Sequence, residues 1–167
     1  MDLAQLRLPK AFDDDPSGPP LLAALRQHTS ALWGGSATRV PTAKWSPQLV
    51  DALRSAAKQG HLARGLELAE KRLASEALGL AMVDARSQAQ RGLRVSRLII
   101  LSRDGSTRFY RQAEALSLSH GPRVLPVLVD VASAQLGEAA QGTPALVRAL
   151  LVEHKASVTL ILQALYP

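Results

Sequence analysis

The sequence predicts an α/β protein, a three-layer α/β/α sandwich with an N-terminal helical extension. In the second half, apolar runs of strand length at 95–101, 124–129 and 145–152 alternate with helical patterns. Such alternation is typical of a sheet with helices packed on both faces. Hydrophobic residues make up 47% of the 167 residues, which is enough for a substantial core. Because aromatic residues make up only 4%, that core must consist mainly of aliphatic side chains.

The first 74 residues predict a flexible segment followed by a helical region. Residues 1–20 have the Pro-, Gly- and Asp-rich composition of a linker. An amphipathic helix is predicted over 21–32, and a loop or short irregular strands follow it. Ser46, followed by a proline, is a favourable helix start, and Gly60 is a favourable helix end. A further helix is predicted from His61. We therefore expect 21–74 to be a helical N-terminal region.

Residues 75–167 predict a separate α/β/α domain. Its strands are those named above, and Pro126 predicts an edge position or a bulge for the second of them. The predicted helices of this domain span 107–119, 133–141 and 157–166.

The charge distribution favours a polyanionic partner. The chain carries 20 Lys and Arg against 14 Asp and Glu, a net charge of +6. Residues 71–167 hold most of this excess. Arginine suits phosphate groups because its planar guanidinium can donate two parallel hydrogen bonds. A solvated basic face without a ligand is the alternative interpretation. The arginines concerned are Arg86, Arg91, Arg94, Arg97, Arg103, Arg108 and Arg111.

Three pieces of this second half resemble a known family. The first is Arg91-Gly92 before the apolar run 95–101, and the second is Val129-Asp130, at the end of the run 124–129, leading into the helix 133–141. The third is the loop that begins at Gly142, before the last strand. Over about residues 75–166 these pieces resemble the kink-turn RNA-binding ribosomal protein superfamily, called "L seven Ae", and its bacterial YlxQ-type relatives. The resemblance implies an α/β/α sandwich that binds structured or ribosomal RNA.

The resemblance also implies where RNA would bind. The family uses the N-terminus of the helix before the Arg-Gly turn and the loop before the last strand. Counted back from Arg91, the family's Gly-x-Asn-Glu motif falls on residues 81–84, where only Asp84 keeps its character and Val83 replaces the Asn. The predicted RNA-binding residues are Asp84, Arg86, Arg91, Arg94, Arg97, Arg103, Gly142, Thr143 and Pro144.

A second and shorter resemblance covers residues 46–66. The segments that begin at Ser46 and at Gly60 are similar to the closing helices of the bacterial YlxR-type domain. This resemblance implies that 21–74 is a degenerate domain of that kind.

The sequence predicts no catalytic residues, no metal site and no cofactor, and therefore no enzyme. The absence of cysteine excludes disulfides and thiolate chemistry. Asp104 and Asp130 follow strands, as functional carboxylates often do, but a helix cap is the expected role of such residues. No apolar run has the length of a membrane span, so we expect a cytoplasmic protein without membrane contact.

Two classes of function therefore stay open. The charge asymmetry favours an RNA-binding protein that uses an arginine-rich face. The replaced Asn and the low aromatic content favour a protein-interaction or assembly module that retains the fold without specific RNA binding. In that case a protein partner is expected to pack on the N-terminal helices at 46–80.

Overall fold

The computed structural model describes residues 2–87 and 93–167, and the strands within them form one mixed sheet in the order β1-β2-β5-β4-β6-β3. The strands β2, β5 and β4 are parallel to one another, whereas β1 and β6 run antiparallel to their neighbours and β3 runs antiparallel to β6. The bounds are β1 Thr29–Ala31, β2 Arg39–Lys44, β3 Leu62–Arg64, β4 Arg97–Leu101, β5 Val124–Asp130 and β6 Ala149–Val152.

Helices cover both faces of this sheet, which confirms the predicted α/β/α sandwich. The bounds are α1 Gly18–Gln27, α2 Pro47–Lys58, α3 Leu66–Ser87, α4 Thr107–Ser119, α5 Ser133–Gln141 and α6 Lys155–Leu165. One face is packed by α1, α2, α5 and α6, and the other by α3 and α4. None of the helices in the described ranges combines the length and hydropathy that crossing a bilayer requires.

Local signals in the sequence explain the helices that were predicted. Ser46 Oγ accepts a hydrogen bond from the Leu49 N–H at 3.2 Å at the start of α2. Gly60 follows that helix with a φ of 70°, a conformation that favours glycine. Ser106 Oγ likewise accepts from the Phe109 N–H at 3.2 Å at the start of α4. Side-chain capping of this kind stabilises a helix by about 1 kcal/mol.

The first half of the chain belongs to the same sheet as the second half, which differs from the predicted division at residue 74. In β2, Thr42 lies opposite Leu128 of β5. In β3, Ala63 lies opposite Leu151 of β6. The sequence pattern missed β1 and β3 because each has three residues, too few to display the two-residue alternation of a strand.

Residues 1–20 are also more ordered than their linker-like composition predicts. Leu6, Leu8 and Phe12 are buried in the core on the α1 side of the sheet. The Val95 N–H donates to the Arg7 carbonyl at 2.9 Å, which holds this segment beside the approach to β4. Removing these three large apolar side chains from water stabilises the segment, and it is therefore ordered despite its linker-like composition.

Pro126 lies in a central strand and not at an edge. It is opposite Ile99 of β4, whereas the pairing of β5 with β2 begins only at Leu128. At Pro126, β5 therefore has a paired neighbour on one side only, and a residue without an N–H fits there.

Candidate nucleic-acid interface

The fold gathers several loops and helix N-termini at one edge of the sheet. Because β2, β4 and β5 are parallel, their C-terminal ends lie together, and β3 ends and β6 begins at the same side. We call this side the carboxyl edge. It comprises the segments that follow β2, β3, β4 and β5, and the loop 142–148 that precedes β6.

Three of the helices that begin at the carboxyl edge have a side-chain cap. Ser46 and Ser106 cap α2 and α4 as described above. The cap of α5 comes from another loop, because the Asp104 carboxylate accepts from the Ser133 N–H at 3.0 and 3.1 Å and from Ser133 Oγ at 2.7 Å. Asp104 was expected to act as a cap, and the helix that it caps is α5 and not the following helix α4.

Helix α3 begins at the same edge, and no side chain within residues 2–87 and 93–167 caps it in this way. Its preceding residue is Gly65, which has a φ of +85° and no side chain that could accept a hydrogen bond. The Gly65 carbonyl accepts from the Ala69 N–H at 3.1 Å, and its own N–H donates to the Ala149 carbonyl at 2.9 Å. The N–H groups of the first turn therefore receive no capping bond from Gly65, and the N-terminus of a helix attracts anions.

The loop 142–148 lies beside the start of α3. Gly142 ends α5 with a φ of 72°, and its N–H donates to the Glu138 carbonyl at 2.8 Å. Thr143 and Pro144 are exposed, and Leu146 is 71% exposed. The loop therefore presents polar groups and the large apolar side chain of Leu146 to solvent at the carboxyl edge.

Two exposed arginines flank this pair of elements. Arg64 immediately precedes Gly65, and its guanidinium contacts Gln141 Oε1. Arg148 immediately precedes β6, and its carbonyl accepts from the Ser102 N–H at 3.0 Å. Within residues 2–87 and 93–167, neither guanidinium forms an ion pair with a carboxylate. Both charges are therefore available to an anionic ligand.

The predicted residue Arg103 lies at the same edge, and its guanidinium contacts the Asp130 carboxylate. Both side chains are largely exposed, so this ion pair contributes little to stability. Gly142, Thr143 and Pro144, in the loop described above, are likewise at the carboxyl edge. These four predicted residues therefore all belong to the carboxyl edge as defined above.

Asp84 and Arg86 lie far from the carboxyl edge, in the last turns of α3. The helix starts at Leu66 and not near Ala81, so Asp84 is about 27 Å along the axis from its N-terminus at 1.5 Å per residue. The predicted placement of the family motif on residues 81–84 therefore does not coincide with a helix start. The residues that follow Gly65 are Leu66, Glu67 and Leu68. Arg91 lies outside the described residues.

Arg94 and Arg97 lie at the opposite edge and hold structural contacts. Arg94 Nη1 is 2.7 Å from Asp13 Oδ1 and donates to the Leu8 carbonyl at 3.1 Å. The Arg97 guanidinium donates two hydrogen bonds, of 3.0 and 2.5 Å, to the carboxylate of Glu76 in α3. Because Arg97 begins β4 and Arg103 follows it, about 20 Å of strand separates them. These arginines therefore do not form one continuous face.

Sequence reasoning missed Gly65, Arg64 and Arg148. The three residues meet only through the pairing of β3 with β6, in which Arg64 lies opposite Leu150. A glycine immediately before a helical pattern was the one local signal available. No cluster of three or more His, Asp or Glu side chains that could hold a metal occurs within the described ranges.

The hydrogen bonds that Asp104 accepts at the start of α5 predict how the free energy of unfolding changes at low pH. Burial raises the pKa of Asp104, but the hydrogen bonds from Ser102 and Ser133 outweigh it and lower the pKa to about 2. The contribution of this carboxylate to stability is therefore fully present above about pH 4 and declines as the pH falls towards 2. We expect Asp104→Asn to lower the free energy of unfolding by about 1 kcal/mol at pH 7.

Urea denaturation of wild type and Asp104→Asn at pH 7 and at pH 2.5 measures this effect. The difference between the two proteins is expected to shrink at the lower pH. Asp51→Asn, at an exposed position of α2, serves as the control and should be close to wild type at both values. An equal deficit of Asp104→Asn at both pH values would show that its charge does not stabilise α5.

Comparison with known proteins gives structural likeness without a match in sequence. No protein-family model matches the sequence, and no curated protein matches it significantly. Among solved structures, the chain is similar to the Giardia lamblia 15.5kD RNA binding protein, with 13% identity and a TM-score of 0.48. The matched region covers 71% of this chain and 82% of that one.

Proposed function

We propose that this protein binds RNA at the carboxyl edge, through the start of α3 and the loop 142–148. The observation that carries the proposal is the start of α3, which receives no side-chain cap from the described residues and lies against that loop, flanked by Arg64 and Arg148. The three other helices that begin at this edge are capped by Ser46, Ser106 and Asp104. The start of α3 is thus the place where a phosphate group can take the role of the cap.

The chemistry of the surface fits RNA. A phosphate can accept hydrogen bonds from the first-turn N–H groups of α3, and each guanidinium can hold a further phosphate. Exposed Leu146 offers an apolar contact to a base that has left its stack, as bases in bends and loops of RNA do. The surface therefore combines contacts to the RNA backbone with one contact to a base.

The family resemblance supports structured RNA, and a kink-turn in particular, as the target. It implies binding by a helix N-terminus and the loop before the last strand, and these two elements are adjacent here. No Asn follows Gly65, while Glu67 supplies an acidic group in the first turn of α3. We infer that recognition relies on backbone N–H groups and on the two arginines in place of an Asn side chain.

Binding of the purified protein to a labelled kink-turn RNA and to an unkinked duplex tests this proposal. The measurement is made at about 50 and about 150 mM salt, because each neutralised phosphate contributes to the salt dependence of binding. We expect the kinked RNA to bind at least about tenfold more tightly at both salt concentrations, a difference of about 1.4 kcal/mol. Equal affinity for both RNAs, lost at the higher salt, would mean a generic basic surface.

A protein-interaction module is the second candidate function, and one observation favours it. Leu78 and Met82 lie one turn apart on α3 and are 70% and 61% exposed. Val83 and Leu93 are also exposed. The apolar face of α2, in contrast, is buried against the sheet. A protein partner that was expected to pack on the helices at 46–80 would therefore contact the later part of α3. Large exposed apolar side chains that lie together favour a protein contact.

A further inference from the structure

A basic cleft opens at the edge of the sheet opposite the carboxyl edge. Its volume is about 520 Å³, and it lies between the N-terminal segment, α3, the approach to β4 and the start of α6. Among the described residues, five cationic side chains line it, against the single carboxylate of Glu76. The cations are Lys10, Arg94, Arg97, Arg123 and Lys155.

Two of these arginines already share one oxygen atom. Arg97 Nη2 is 2.5 Å and Arg123 Nη2 is 2.9 Å from Glu76 Oε1. Their side chains are only 16% and 23% exposed, so both guanidinium groups are held in place by their surroundings. The pair is thus arranged to hold an anionic oxygen between two guanidinium groups, which is how arginines bind phosphate.

Glu76 and Asp13 do not balance the positive charge of the cleft. The Glu76 carboxylate forms ion pairs with both Arg97 and Arg123, and the Asp13 carboxylate forms one with Arg94. No ion pair of Lys10 or Lys155 occurs among the described residues, and both are exposed at the rim. A cleft lined by charges of one sign concentrates ligands of the opposite sign.

The size and the walls of the cleft indicate a small organic ligand. Its volume falls within the range of about 300–1,000 Å³ typical of small-molecule sites. Leu80, which is partly exposed, and the aliphatic stems of the lining Lys and Arg side chains form an apolar wall beside the charged groups. An inorganic anion would leave that wall without a contact, whereas the ring of a nucleotide would cover it.

We propose that this cleft binds a nucleotide-sized organic phosphate. The phosphate group contacts Arg97, Arg123 and Lys155, and the organic part lies against the apolar wall. In this arrangement Glu76 competes with the ligand phosphate for the two guanidinium groups. The site is separate from the carboxyl edge, so the proposal stands or falls independently of RNA binding there.

Calorimetric titration of the full chain with adenosine monophosphate, adenosine and inorganic phosphate tests the proposal. We expect adenosine monophosphate to bind at least about tenfold more tightly than either of the other two, because only it supplies both the phosphate and the ring. Glu76→Gln should raise its affinity about fivefold, since the competing carboxylate is gone. An ion pair with a purely structural function would give no such gain.

Charge reversal at the rim provides a second variant that leaves the core untouched. Lys10→Glu combined with Lys155→Glu is expected to weaken binding of adenosine monophosphate about tenfold. Lys58→Glu, at the exposed end of α2 and outside the cleft, is the control and should bind like wild type. The proposal is overturned if wild type and Glu76→Gln show no saturable binding, if adenosine binds as tightly as its monophosphate, or if Lys58→Glu has the same effect as the double variant.

Discussion

Gly137→Ala is expected to destabilise the protein by about 3 kcal/mol, the upper part of the range for overpacking a core. Gly137 is buried in α5, and a Cβ atom there would lie 1.8 Å from the Ala145 carbonyl oxygen. That oxygen belongs to the backbone and cannot turn away as a side chain would. The substitution therefore displaces the loop 142–148, and we expect it to weaken RNA binding as well.

Gly79→Ala is the matched control for this substitution. Gly79 lies within α3, and apart from its own helix backbone no described atom lies within 4 Å of a Cβ built there. Because alanine is the better helix former, this variant should be more stable by about 0.5–1 kcal/mol. Urea denaturation of both variants gives the comparison. If Gly137→Ala were as stable as Gly79→Ala, the close approach of α5 and the loop would not exist in solution.

Arg64→Glu combined with Arg148→Glu is expected to weaken binding of the kink-turn RNA about 100-fold at low salt. Each reversal removes a contact to a phosphate and adds a repulsive charge, and a tenfold loss per site corresponds to about 1.4 kcal/mol. The dependence of the affinity on salt should become shallower by about two phosphate contacts. Fluorescence anisotropy at several salt concentrations measures both effects.

Arg54→Glu combined with Arg86→Glu is the control with the same change in net charge. Arg54 lies on α2 and Arg86 near the end of α3, and both are exposed. We expect only the small loss that a lower net charge causes at low salt. An equal loss in both double variants would mean that RNA responds to the total charge of the protein and not to the carboxyl edge.

The parts of the fold that depend on local interactions could be predicted from the sequence. Helix α4 begins and ends at the predicted residues, and so does α5. Capping by Ser46 was predicted from the adjacent proline, because a cap requires only residues within one turn of each other. The alternation of strands and helices after residue 95 likewise follows from hydrophobic periodicity within short windows.

The candidate site depends on contacts between distant parts of the chain, and these could not be predicted. Arg64 and Arg148 are neighbours only because β3 pairs with β6. Seven arginines that lie close together in the sequence predicted one basic face. In the fold, Arg97 begins β4 and Arg103 follows its end, so the two arginines lie on opposite sides of the sheet, one at each end of this strand. The Arg97 guanidinium also donates a hydrogen bond to Glu76. Proximity in sequence therefore did not translate into a common surface.

The most direct test of RNA binding at the carboxyl edge is to map the contact on the uniformly ¹⁵N-labelled protein by NMR while kink-turn RNA is added. If RNA binds at the carboxyl edge, the largest amide shifts will fall on residues 65–68 and on the loop 142–148. Shifts confined to residues 94–97 and to the end of α3, with none at the carboxyl edge, would show that RNA binds elsewhere.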